Sequence, residues 1–246
     1  MGLVLAAMGL LIWVEPALAQ SISVDLGDDT GSTTGRIIQM VLLLTVLSLA
    51  PGILVMATSF TRIVVVLSIL RHALGTQTTP PNMVMIALAL FLTMFVMGPT
   101  FQEAWTNGVS PLIEEEIDEA EAIERTVLPF RNFMLAHVRT QDLGLFLEMS
   151  GQPETQAEDA PLQALVPAFM ISELRRAFEI GFLIYLPFVV IDMVIASVLM
   201  SMGMMMLPPM MLAMPFKLIF FVLVDGWYLL AGSLIQSFGT GVLPGG

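Results

Sequence analysis

The chain is 246 residues long, 57% hydrophobic and only 12% charged, with a mean hydropathy of +0.88, which excludes a soluble globular domain and marks a membrane or membrane-assembled helical protein. Its nine Lys and Arg against 21 Asp and Glu form no basic stripe, so nucleic acid is excluded as a partner. Cysteine is absent, and with it any disulfide framework or thiolate metal site.

Residues 1–19 read as a secretory signal peptide: an apolar run from Leu3 to Val14, then Pro16, then Ala17-Leu18-Ala19 as an A-x-A cleavage site before Gln20. No Lys or Arg precedes the apolar run. Residues 20–36, rich in Gly, Ser, Thr and Asp, read as a flexible linker. The run Ile37 to Ala57 is long enough to span a bilayer but is interrupted at Pro51-Gly52, and Arg62 and then Arg71-His72 flank the next apolar run, Ile63 to Leu70. A lipid-exposed span should not break there, because freed backbone groups find no water to bond. The region is therefore expected to pack against protein. Met83 to Phe101 is a further near-spanning run, preceded by Pro80 and Pro81, and proline is tolerated at the first turn of a helix. Residues 37–101 thus read as a helical hairpin turned at Pro80 and Pro81.

Residues 102–161 hold 13 acidic and three basic residues of the chain's net charge of −12, a local balance of −10. Ile113, Ile117, Ala120, Ile123 and Val127 recur at helical spacing with acidic residues between them, which predicts an amphipathic helix ended by Pro129. Shorter helices are expected over 130–138 and 143–149, then a linker to residue 160. This acidic helical domain is read either as a solvated face or as a contact to a neighbouring subunit.

The C-terminal part, 162–246, reads as a second hairpin with Pro208 and Pro209 at its turn. Pro-Pro turns in both halves hint at a weak internal repeat. Arg175 and Glu179 form an i,i+4 pair, with Arg176 beside them. Asp192, Lys217 (the only lysine) and Asp225 lie in apolar runs, where charges are expensive and normally pair or face an aqueous interior. Asp192 with Lys217 is the expected pairing. The turn is unusual: from Met200 to Met214 it holds eight of the chain's 20 methionines. Methionine is unbranched and polarizable, so such a cluster serves either as a deformable seal in a multi-subunit conduit or as filler inside a bundle. Orientation is contradictory. With the leader removed outside the cytoplasm, Arg62, Arg71 and His72 obey positive-inside counting, whereas Arg175 and Arg176 violate it.

Catalysis finds little support. His72 and His137 have no ligand-spaced partners, no phosphate-binding Gly-rich loop is present, and Lys217 spoils an Asp192/Asp225 protease dyad. Neither a metal nor another cofactor is expected. An ion- or proton-coupled membrane transporter is the alternative to a conduit, since broken helices and buried charges suit one, although a methionine turn is not the polar lining it needs.

Longer motifs sharpen this reading. The stretch Thr58-Ser-Phe-Thr-Arg-Ile-Val-Val-Val-Leu-Ser-Ile-Leu-Arg71, with Gly75-Thr-Gln77 and Pro80-Pro81-Asn82, resembles the FliP family of flagellar type III export-gate proteins. So do Ser172-Glu-Leu-Arg-Arg-Ala-Phe-Glu-Ile-Gly181, Ile191-Asp-Met-Val-Ile-Ala-Ser197, Gly203-Met-Met-Met206 and Pro215-Phe-Lys217 through Val224-Asp-Gly-Trp227. The resemblance implies an all-α, membrane-associated chain that assembles as a pentamer with FliQ and FliR into a conical helical channel, next to FlhB and FlhA. It implies a place in the bacterial inner membrane at the flagellar basal body, with the core extending to the periplasmic side. The cargo would be unfolded flagellar subunits. The pore gasket would fall on Met204, Met205 and Met206, with Met210 and Met211 as additions.

Overall fold

The computed structural model describes residues 57–76, 78–204 and 208–239, with nine positions between Ile38 and Met56. The leader and linker expected over 1–36 lie outside the described residues, as does much of the run Ile37 to Ala57. Two compact units divide between Val46 and Leu47. In the first, Thr45 Oγ1 donates to the Val41 carbonyl at 2.7 Å within a helical stretch. The second is entirely helical among the described residues.

Helix α1 (Phe60–Ala73) is the axis of this second unit. Its Thr61, Arg62, Ile63, Val66, Leu67, Leu70 and Ala73 are buried, a spacing that covers most of its circumference. Such burial carries a run rich in β-branched residues that propensity alone would not favour as helix. Helix α2 (Asn82–Ala104) starts directly after Pro81, whose extended backbone caps it. It does not stop at the expected boundary near Phe101. One π-type turn (Trp105–Val109) carries it into α3 (Ser110–Ile113), and Asn82–Ile113 is continuous over 32 residues. Gln102, Glu103 and Ala104 are good helix formers and no capping residue stands among them, so nothing ends the helix there.

The acidic segment also departs from the expectation. The helix does not run from Ile113 to Pro129: the chain breaks at Glu114–Asp118, with Glu115 at φ +59°, and α4 spans Glu119–His137 straight through Pro129. Asp118 caps α4, its Oδ1 accepting the Glu121 N–H at 2.8 Å. Three successive glutamates repel one another, and Asp118 with Glu121 three positions on is a helix-start pattern. Pro129 forfeits one internal hydrogen bond but buries its ring, which offsets the loss. Helix α5 (Thr140–Met149) and a 3-10 turn (Ala157–Asp159) complete the segment. Met134, Leu143, Leu147, Ala160, Leu165 and Phe169 form its small core against the start of the next helix.

Helix α6 (Leu162–Ser201) has 40 residues and retains Pro167 and Pro187 in its interior. It lies chiefly against α1. Helix α7 (Pro209–Leu223) returns from its end, and α8 (Gly226–Gln236) follows after a bend of 65°. The apolar run Phe216 to Phe238 is therefore two helices rather than one. Asp225 sits at the corner with φ +51°. Gly226 is required there, because a Cβ would stand 2.2 Å from the Phe221 ring. The larger core joins α1, α2, α6, α7 and α8 through Ile63, Leu67, Ala89, Phe188, Phe221 and Leu234.

Among the described residues two helical stretches, Asn82–Ile113 and Leu162–Ser201, are long and apolar enough to cross a membrane, and α7 with α8 makes a third if the bent pair is one span. Only 11% of the most apolar window of α6 is buried within the chain. At about 1.5 Å per residue α6 is about 60 Å long, twice the roughly 30 Å hydrocarbon thickness.

Candidate functional site

The methionine turn joins α6 to α7. Helix α6 ends at Gly203, whose φ of +76° is open to glycine at no steric cost. The Gly203 N–H donates to the Met200 carbonyl at 3.1 Å and the Met204 N–H to the Leu199 carbonyl at 3.0 Å. This pair of bonds is a Schellman stop, which satisfies carbonyls that the helix end would otherwise orphan. On the other side Pro208 caps α7 and Pro209 is its first residue, where a missing N–H costs nothing. Pro80 and Pro81 stand in the corresponding place before α2.

Of the sequence-predicted gasket residues, Met205 and Met206 lie outside the described residues. Met204, Met210 and Met211 are exposed in the single chain, the last two by 69% and 74%. Met200, Met202 and Met214 beside them are exposed as well. The thioethers of these six methionines are thus not filling a gap among the described residues of one protomer.

Behind the turn, Lys217 of α7 is buried. Its Nζ lies 2.7 Å from Asp192 Oδ2 of α6 and donates to the Ala73 carbonyl at 3.0 Å. The cation therefore meets a carboxylate and the negative end of α1 together. This is the arrangement that lets a lysine remain charged away from water. Asp192 is half-buried, and its Oδ1 has no partner among the described residues. Arg175 and Glu179 pair at 3.0 Å on an exposed face, Arg176 is half-buried, and Asp225 is exposed. Within one chain, then, Lys217 is the only fully buried member of that set of charges. The local i,i+4 spacing of Arg175 and Glu179 says nothing about burial.

A second anchor was not legible as a pair. Arg62 of α1 donates through Nε to Glu173 Oε2 at 2.9 Å, and its Nη2 pairs with Glu173 Oε1. Both side chains are 0% exposed. Arg62 Nη1 donates to the Ser237 carbonyl and hydroxyl, each at 2.9 Å, and the guanidinium carbon lies 3.7 Å from the Phe238 ring centre. Phe238 in turn stacks on Phe133, and its carbonyl approaches His137 Nε2 at 3.4 Å. Burial pushes the Arg62 guanidinium below its ordinary range, while the hydrogen bond and charge of Glu173 push it back up. One arginine so ties α1, α6 and the end of α8 together. The sequence signal was a cation at the edge of an apolar run; its partner stands 111 positions away.

Comparison with known proteins follows this geometry. The model of the FliP family matches residues 43–234. The flagellar biosynthetic protein FliP of Caulobacter vibrioides is 56% identical over 241 residues, covering 97% of this chain and 90% of that one. The FliP of Bacillus subtilis is 54% identical over 202 residues, covering 82% and 91%. That of Aquifex aeolicus is 48% identical over 204 residues, covering 82% and 85%.

Proposed function

The chain belongs to the FliP family of flagellar export components, and on that premise we propose that it is a channel-forming core subunit of the flagellar type III protein export gate, passing unfolded flagellar subunits across the inner membrane. The observation that carries the reading is the turn itself: methionines exposed at Met204, Met210 and Met211 on a loop whose flanks are both capped. Several copies, five by family likeness, would bring these turns around one lumen, with FliQ and FliR completing the wall and FlhB and FlhA adjacent. Closed, Met204 to Met206 block ions by apolar packing. A passing chain displaces flexible thioethers at little cost, because each atom contact is worth only about 0.1–0.2 kcal/mol. The length of α6 supports a core that extends beyond the bilayer, and family likeness puts that extension on the periplasmic side. No catalytic step is assigned.

Replacing Met204–Met206 with Gly should make cells leaky to ions while export continues. Unchanged leak together with unchanged motility rejects the gasket. A purified complex with fivefold copies of the chain supports the channel; a monomer or dimer with saturable small-solute uptake would instead support a coupled transporter.

A further inference from the structure

From Thr30 to Gln102 the sequence contains no Asp or Glu. Two buried or half-buried arginines fall in this stretch on α1. Arg62 finds its carboxylate on α6, as described above. Arg71 finds none. Both of its hydrogen bonds leave from Nη1, to Asn82 Oδ1 and to the Pro80 carbonyl at 3.4 Å. Its Nε is buried and has no partner among the described residues. The Nε–Nη2 edge, the one that grips a carboxylate or phosphate through two parallel bonds, is thus unused.

Arg71 lines a cavity of about 210 Å³ together with Val64, Ser68, Asn82, Met85 and Ile86. That is about seven times the roughly 30 Å³ share of a liquid water, room enough for a tetrahedral anion. The cavity's position identifies the anion's carrier. It opens at the first turn of α2, a helix apolar and long enough to cross a membrane. Met83, Val84 and Ile86 of that turn are exposed by 82%, 53% and 45%. A cation at the foot of an uncovered apolar helix meets a phosphate at the headgroup level and acyl chain beside it. His72, the neighbouring titratable group, is exposed and turned back to the Ser68 carbonyl at 2.7 Å. Lys217, close to Ala73, is already held by Asp192.

We propose that the cavity between the end of α1 and the start of α2 binds the phosphate of a membrane phospholipid, gripped by the Nε–Nη2 edge of Arg71, with acyl chain lying along Met83, Val84 and Ile86. The site rests on the membrane location of the chain and not on the gate reading. Failure of one leaves the other standing.

The test uses the full-length protein, in its native complex, reconstituted into nanodiscs of phosphatidylglycerol and then stripped in mild detergent, with retained lipid per chain read by native mass spectrometry. Wild type should hold one phospholipid per chain, and Arg71→Gln should retain at least about tenfold less, as expected for loss of a bidentate charge-assisted contact. Arg71→Lys, a single-point donor, should fall between them. Ile86→Phe fills the cavity at a half-exposed position and keeps the arginine, so it should also lose the lipid even if the Gln variant folds poorly. Millimolar inorganic phosphate should not displace the lipid. Three results overturn the proposal: lipid retained in Arg71→Gln or Ile86→Phe, displacement by inorganic phosphate alone (a free-anion site), or unchanged lipid with loss of a partner protein (a carboxylate from another subunit).

Discussion

Replacing Arg62 with methionine should be far more damaging than the loss of one charge. The change removes both bonds to Glu173, both bonds to Ser237 and the packing on Phe238. It leaves the Glu173 carboxylate at 0% exposure with no cation. Breaking one side of a buried ion pair costs about 3–5 kcal/mol, a large part of a whole domain's stability of about 5–15 kcal/mol. Glu173→Leu should cost about 3 kcal/mol, at the lower end, because the stranded guanidinium keeps Ser237 and Phe238. The double variant should be much milder than either sum. An apolar pair of similar volume is often neutral against the buried ion pair, and what stays missing is the donors to Ser237 and the cation on Phe238, together worth about 1–3 kcal/mol.

The assay is a double-mutant cycle on the purified, detergent-solubilised chain, read by denaturant or thermal unfolding, with soft-agar motility alongside. A coupling energy of at least about 3 kcal/mol is expected, or roughly a hundredfold in the unfolding equilibrium. Single variants within about 1 kcal/mol of wild type, or a double variant equal to the sum, would refute the idea that this pair fastens α1, α6 and α8.

Three smaller tests probe the rest of the frame. Lys217→Met should cost less than Arg62→Met, about 1–3 kcal/mol, because Asp192 keeps 31% of its side chain in contact with solvent; a larger loss in thermal unfolding would mean that Asp192 is more enclosed than it stands here. Gly226→Ala should destabilise by about 1–3 kcal/mol through the clash with Phe221, and Phe221→Leu in the same chain should recover part of it. Asp118→Ala should cost about 1 kcal/mol and act locally: hydrogen exchange at Glu119–Ala122 should quicken while α1 is unchanged.

Local chemistry was legible in the sequence, and pairing across more than a hundred positions was not. Pro208-Pro209 and Gly203 bracket the methionine turn because proline and glycine act on their own backbone, and both function in the structure as their chemistry dictates. Asp118-x-x-Glu121 carried the start of α4, but the amphipathic repeat through Ile113 and Ile117 obscured it. Pro129 was over-weighted, since one missing hydrogen bond is tolerated when the ring is buried. Asp225 was read as a charge within a helix, whereas Asp-Gly is a turn pair and marks the corner between α7 and α8. Arg62 was read as a charge flanking the run Ile63 to Leu70, and nothing local marked it as buried. Glu173 could not be matched to it, because periodicity orders residues within one helix and carries no information between helices so distant in the chain.

Magnitudes also indicate which element moves in the proposed gate. Sliding α7 would break the Lys217 contacts to Asp192 and Ala73, and shifting α8 would break those of Arg62 to Ser237. Each such rupture costs on the order of a few kcal/mol, because a buried charge is left short of partners. Displacing the turn exchanges thioether contacts for contacts with the passing chain, at about 0.1–0.2 kcal/mol per atom pair and in both directions. The segment between the Schellman stop at Gly203 and Pro215 of α7 carries no charged residue. Pro215, inside α7, takes one hydrogen bond from the ladder just before Lys217, so bending is least expensive on the turn side of the anchor. Opening is therefore expected to be confined to Met202–Met214, with α1, α6 beyond it and α8 held still. Under the proposed gate, the buried cations Arg62 and Lys217 hold the frame, so that the seal can be soft.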